Sequence, residues 1–268
     1  MEKLNNKLLS YYGLILVGYN GILDMPSRLG DTFYDWGDWQ QPLVDDEDIF
    51  WKSKEFSLNV VFDERRTNKT LKSIVNEISN LPECLLESKY GNFQVKVKAI
   101  QKVNSYENIT KLSILFNERI PQLNATLLGP VGGNGLLIDG YDFKKDFGIV
   151  IRKVKPLDYV PITKQLSTTV FNTSQILSDH RNFKVFELDC AMAYSSASEL
   201  KETTDKFKKL LSLGGYRVIT FENESYNCFL TEGFKVVFVG ENVIKFKLLL
   251  NITANFVDSG FVASGFVN

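Results

Sequence analysis

Histidine is almost missing from this chain: His180 is the only one in 268 residues. A Ser-His-Asp or Cys-His mechanism would have to use it, yet no G-x-S-x-G elbow is present, so His180 reads as a solvent-facing loop residue. Proline is scarce, at 7. The three cysteines, Cys84, Cys190 and Cys228, lie far apart with no C-x-x-C pair. An odd number of dispersed cysteines argues against a disulfide framework and fits reduced thiols in a cytosolic setting. Net charge is missing too. Thirty-one basic and 32 acidic residues leave −1, which gives no basis for electrostatic capture of nucleic acid or of an anionic membrane. No apolar stretch approaches the ~20 residues of a membrane span. The run from Tyr11 to Tyr19 is interrupted by Gly13 and Gly18, and no small-residue cleavage site comes after it, so no signal peptide is expected.

What the chain does have is apolar mass and a repeated phrase. Hydrophobic residues make up 44% of it and Phe alone numbers 20, enough to bury the core of one large domain or two ordinary ones. "YGLILVGYNGILDMP" (Tyr12 to Pro26) returns as "FGIVIRKVKPLDYVP" (Phe147 to Pro161). In both, an aromatic and a Gly precede three aliphatics, and Leu-Asp precedes a Pro. Recurrence at a long period is the mark of a repeated structural unit, in which the segments after the two copies should match as well.

After the first copy, "KEFSLNVVF" alternates Phe56, Leu58 and Val60 with polar residues, as a half-buried strand does. After the second, "RNFKVFELDCAM" offers Phe183 and Val185 and then Phe186, Leu188 and Cys190, a strand in which two alternations compete and neither marks one buried face. Each strand then leads to a helix. "TNKTLKSIVNEISNL" can be capped by Thr67 or Asn68; it places Leu71, Ile74, Val75 and Ile78 on one side and stops before Pro82. "SSASELKETTDKFKKLLSLGG" has Ser195 to Ser198 as candidate caps, an apolar stripe of Leu200, Phe207, Leu210 and Leu211, and Gly214-Gly215 at its end. Three strands joined by short turns come after each helix. The first set is "ECLLES", "FQVKVKAIQKV" and "ITKLSILFNE". The second is "YRVITFE", "YNCFLTEGFKVVFVG" and "VIKFKLLLNITA". Turns this short make the strands antiparallel. The expected fold is therefore α+β: a tandem duplication of one antiparallel, barrel-like sheet unit with one flanking helix. The expected units are 1–120 and 146–268. Between them lies a turn-rich linker over 121–145, with room for a short hairpin of its own, which contains five glycines and a proline in "LLGPVGGNGLLIDGYDF".

Three stretches resemble one family: "LDMPSRLGDTFYDW" (Leu23 to Trp36), "FSLNVVFDERRTNKTLKSIVNEI", and "YGNFQVKVKAI". They are similar to the tail-tube-like distal tail and baseplate hub proteins of phages of Bacteroidetes-type hosts. The resemblance covers most of the first half, and reaches the second only through the internal repeat. It implies a structural, non-enzymatic virion protein, assembled in the host cytoplasm. Such a protein forms a ring around a channel, with DNA present only in transit and with other tail proteins as neighbours. It also implies six equivalent domains around an axis. Three chains alternating their halves would supply these, or six chains stacking two layers. The unequal loops of the two halves favour six chains.

The candidate contacts follow from composition. "DTFYDWGDWQQPLVDDEDIFW" (Asp31 to Trp51) holds all three tryptophans, and Asp35, Asp38, Asp45, Asp46, Glu47 and Asp48 crowd among them. The spacing lacks the Gly-and-terminal-Glu frame of an EF-hand. Phe33, Tyr34, Trp36, Trp39 and Trp51 instead suit an interface, since Trp and Tyr are typical anchors. The matching stretch 162–182 has Phe171 and no Trp. The C-terminal "ANFVDSGFVASGFVN" repeats Phe-Val at Phe256, Phe261 and Phe266, as the closing strand of the second unit would or, the favoured reading, an arm adding to a neighbour's sheet. Lys96, Lys98 and Lys102 lie on one strand opposite its apolar face, where a channel lining or an ordinary solvated face would put them. "GPVGGNG" (Gly129 to Gly135) lacks the Lys-[ST] ending of a phosphate loop and reads as a connector. No cofactor and no metal site is expected. The alternative functions are a carbohydrate- or receptor-binding module built on the aromatic loop and, behind it, a small hydrolase.

Overall fold

The computed structural model describes residues 2–35, 40–155, 163–170, 173–181, 184–222 and 224–253. It begins with a hairpin of β1 (Lys3–Leu4) and β2 (Lys7–Leu8). Asn5 and Asn6 turn it with φ of 51° and 63°, the left-handed pair that a tight two-residue hairpin needs and that Asn tolerates. A single 3-10 turn, Leu9–Tyr12, stops at Gly13 (φ 66°) and leads into β3 (Leu14–Asn20). β4 (Arg28–Leu29) precedes the acidic aromatic stretch, which contributes β5 (Phe33–Asp35), β6 (Gln40–Pro42) and β7 (Phe50–Trp51). Next come β8 (Lys54–Asp63), α1 (Leu71–Ser79), β9 (Cys84–Ser88), β10 (Gly91–Tyr106) and β11 (Ile109–Glu118). The first sheet is antiparallel, in the order β2-β1-β9-β10-β11-β8-β3.

A second hairpin, β12 (Leu137–Ile138) and β13 (Tyr141–Asp142), turns on Asp139 and Gly140, again both at positive φ. The short helix α2 (Phe143–Phe147) ends at Gly148 (φ 61°) and releases β14 (Ile149–Val154). The chain continues through β15 (Thr163–Val170), β16 (Thr173–Arg181), β17 (Lys184–Ala193), α3 (Ala197–Ser212), β18 (Arg217–Phe221), β19 (Glu224–Phe229), β20 (Val237–Phe238) and β21 (Val243–Ile252). The second sheet runs β13-β12-β18-β19-β21-β17-β14, with β20 also on β21. The molecule is thus mostly antiparallel sheet with few helices, as the α+β expectation requires.

The two sheets correspond strand by strand and row by row. Across the first, Ile15 faces Val61, Val61 faces Lys111, and Lys111 faces Asn104. Across the second, Val150 faces Ala191, Ala191 faces Lys245, and Lys245 faces Val237. One irregularity agrees as well. β3 slips register between Leu16 and Gly18, and β14 between Ile151 and Lys153. The hairpins dock alike as well: the N–H of Asn5 bonds the carbonyl of Leu85, and that of Asp139 the carbonyl of Val218.

Several local expectations change in the fold. α1 is capped by Thr70, whose hydroxyl accepts from the N–H of Ser73 at 3.3 Å; Thr67 is occupied by the N–H of Lys69 and cannot cap. α3 is capped by Ser196, with the Glu199 carboxylate reaching back to the N–H of Ser195. The stretch 121–145 holds the short hairpin its turn-rich sequence allows, β12 with β13, and the start of α2 also lies in it; β12 pairs with β18. His180 sits in strand β16 opposite Lys164, not in a loop. "YNCFLTEGFKVVFVG" is not one strand: the chain leaves the sheet after Phe229 and rejoins it at Val237. The buried apolar side chains of both sheets and of α1 and α3 form one cluster, from Leu4 and Phe56 to Phe207 and Leu250.

Candidate assembly surfaces and the seam between the sheets

The excursion between β19 and β20 has a destination. It runs beside the first half's 24–28 segment. The N–H of Met25 donates to the carbonyl of Phe234 (2.9 Å), and that of Arg28 to the carbonyl of Thr231 (3.1 Å). The N–H of Val236 donates to Asp24 Oδ1 at 2.7 Å, and that of Gly233 to Ser27 Oγ at 3.3 Å. Gly233 is dictated by this approach, since a Cβ there would collide with the carbonyl oxygens of Met25 and Pro26. Nearby, Tyr90 stacks at a tilt on Phe238 with ring centroids 5.7 Å apart.

Beneath this seam lies a buried group of charges. Lys54 on β8 and Glu118 on β11 are direct cross-strand partners, with Nζ 2.6 Å from Oε2. Glu118 is 1% exposed. The distance is that of an ion pair, but the alignment is poor enough that neither carboxylate oxygen has a hydrogen-bonded donor among the described residues. Lys54 also donates to the carbonyl of Ile22 (3.2 Å) and lies over the Phe93 ring. From the second half, α3 contributes Lys208, buried and 3.6 Å from Asp205. Burial lowers the Lys208 pKa to about 8, and the nearby charge of Lys54 pushes the same way. Burial likewise raises Asp24 above the usual carboxylate range. The Cys190 and Cys228 thiols are driven up to about 12 by burial, which makes them inert packing groups at neutral pH.

The expected contact residues divide among several places. Phe33 and Tyr34 form β5 of a hairpin with β6; Tyr34 is 55% exposed. Trp51 on β7 faces Arg28 and packs on the core beside Leu211 and Arg217 of the second half, so its ring is engaged within the chain. Trp36, Trp39, Phe256, Phe261 and Phe266 lie outside the described residues. Lys96, Lys98 and Lys102 are exposed but do not share a face. Lys96 is opposite Asn117, whereas Lys102 is opposite the buried Leu112, because β10 slips register at Lys98. Lys98 pairs with Glu55.

Sequence reasoning passed over the edge of β10. This strand pairs with β9 only from Gly91 to Val95. From Lys96 to Tyr106 one side meets β11, and the other meets no strand among the described residues. Val103 and Tyr106 on this stretch are exposed. A 16-residue strand between shorter ones was the available signal. Among the described residues, no three His, Cys, Asp or Glu side chains converge as a metal site would require. Comparison of the chain with protein-family models, with curated proteins and with solved structures finds no match.

Proposed function

We propose that this chain is a structural virion protein of a bacteriophage tail, a hub or adaptor component that closes into a ring around a channel for genome or protein passage. Its work is assembly and not catalysis. One observation carries the reading: two antiparallel sheets of corresponding strand order, each ending in strands with a side that pairs with no other strand among the described residues. Matching order, rows, slips and hairpin turns are what a tandem duplication of one unit leaves behind, and the family resemblance of the first half supplies the biological setting. An unpaired edge is a row of donors and acceptors that favours pairing with another chain, and a closed barrel satisfies all of them. A ring of such units joins the sheets of neighbours into one large barrel. Its closure is expected on symmetry grounds, because an open head-to-tail contact would grow a filament.

Electron-microscopic imaging of the purified full chain, with its mass in solution, tests this. A closed ring with a central channel is the expected result. A monomer at every concentration overturns the reading, and so does measurable hydrolytic activity from such a monomer.

A further inference from the structure

We infer that the small cavity shared by Arg28 of the first half and Arg217 of the second is a binding site for one monatomic anion, a halide such as chloride. The inference goes beyond the proposed function and stands whether or not the chain closes into a ring.

The cavity lies where the acidic aromatic stretch meets the end of α3 and the start of β18. Val44 and Trp51 line it from the first half, Leu211 and Leu230 from the second, together with the two arginines. Main-chain bonds hold the lining in place: the N–H of Gly215 donates to the carbonyl of Val44 at 2.6 Å, and Arg28 pairs with Trp51 across β4 and β7. The room inside is about 10 Å³, enough for one water-sized group.

Both arginines lack a partner here. Arg28 is 4% exposed, and its Nη2 donates to the main-chain carbonyl of Asp48 at 3.2 Å. Its Nε–H is buried with no acceptor among the described residues. Arg217 is better served: Nη1 meets Asp139 Oδ2 at 2.7 Å and Nη2 donates to the carbonyl of Gly214, yet its Nε–H is likewise buried without an acceptor. Two guanidinium charges thus have one directly bonded carboxylate between them. The Asp48 charge acts on Arg28 from a distance. Asp46, which lies against the backbone of Gly214, is exposed, as are Asp45 and Glu47 beside it, so water screens all three.

A buried charge or donor without a partner is costly, so the pair calls for an acceptor. The room is too small for sulfate, phosphate or a carboxylate group, each of which has several heavy atoms. Water and a monatomic anion remain. A water accepting from both N–H groups would need acceptors for its own hydrogens, and guanidinium groups only donate. A halide needs donors alone, and its charge offsets the surplus guanidinium through charge-assisted hydrogen bonds. Bound there, it ties the acidic aromatic stretch to the second half.

The test follows thermal unfolding of the full chain while sodium chloride replaces sodium gluconate at constant ionic strength and pH. Chloride is expected to raise the melting temperature by a few degrees along a curve that saturates as a single site does. Arg28→Met, which removes the surplus charge, should lose this response. So should Val44→Leu, which keeps both arginines and fills the room, and which serves if Arg28→Met does not fold. In crystals grown with sodium bromide, an anomalous-scattering peak is expected between Arg28 and Arg217. A wild-type melting temperature indifferent to chloride overturns the inference. So does a chloride response retained by either variant, or a water in the cavity with bromide peaks only elsewhere. None of these results touches the ring reading.

Discussion

Lys54 and Glu118 face each other across β8 and β11 with 2.6 Å between their charged atoms, both on the inward side of the first sheet. Removing one partner of a buried pair strands the other charge, which costs about 3–5 kcal/mol, whereas replacing both by apolar residues is often neutral or stabilising. Glu118→Gln should therefore lower the denaturant midpoint strongly, and Lys54→Met with Glu118→Leu should recover most of the loss. Equal damage in the single and the double variant would show that the pair is not what matters at this position.

Lys208 makes stability depend on pH in a definite direction. Its pKa is about 8 in the folded chain against the ordinary 10.5, so between those values the unfolded chain binds more protons. Stability then rises as pH climbs from about 8 to 10.5, and the burial cost is present in full below 8. Lys208→Met should be more stable than wild type at pH 7. The ceiling on that gain is roughly 3 kcal/mol, at about 1.4 kcal/mol per pKa unit, less the lost contact with Asp205. Urea titrations across this range should show the advantage shrinking towards pH 10.5.

Gly13 and Gly148 end matching turns at φ of 66° and 61°, but their surroundings differ. At Gly148 nothing lies within 4 Å of an added Cβ, whereas at Gly13 the Thr67 Cγ2 would be 2.6 Å away. Gly148→Ala should cost only the left-handed backbone penalty of about 1–2 kcal/mol. Gly13→Ala should cost visibly more, and Thr67→Ser in the same chain should bring the two closer together. Melting curves that rank them the other way contradict the structure at this turn.

Gly233→Ala tests the seam without touching either sheet. The new Cβ would strike the backbone oxygens of Met25 and Pro26, and backbone cannot swing aside. Hydrogen exchange at Met25, Arg28 and Val236 should speed up, while the N–H groups of β8 and β11 keep their protection. Uniform loss of protection would mean that the sheets depend on the seam.

Trp36 and Trp39 are expected to anchor the assembly. Replacing both by Ala should weaken ring formation by on the order of 2 kcal/mol or more and leave the monomer's unfolding transition in place. Sedimentation at several concentrations reads the first quantity and circular dichroism the second; rings as tight as wild type would remove these residues from the interface.

Much of the secondary structure was legible because its causes are local. The alternation of Phe56, Leu58 and Val60, the stripes of Ile74 and Ile78 and of Leu200 and Phe207, and the Gly after Tyr12 and Phe147 need only a few neighbours to act. The same alternation held an unread signal: Lys54 precedes Phe56 by two and Glu118 comes two after Phe116, which puts both charges on the core side. What the sequence could not decide was partnership between distant pieces. "YNCFLTEGFKVVFVG" and "FQVKVKAIQKV" have similar strand-forming character, yet one leaves its sheet for Met25 and the other stays on β11. Strand preference is set by the neighbours a strand meets more than by the strand itself, and those neighbours exist only once the chain has folded. Likewise the slip at Lys98, which sends Lys96 and Lys102 to opposite faces, arises from how β10 and β11 fit side by side. The tertiary structure alone determined the seam and the meeting of Lys208 with the buried charges beneath it.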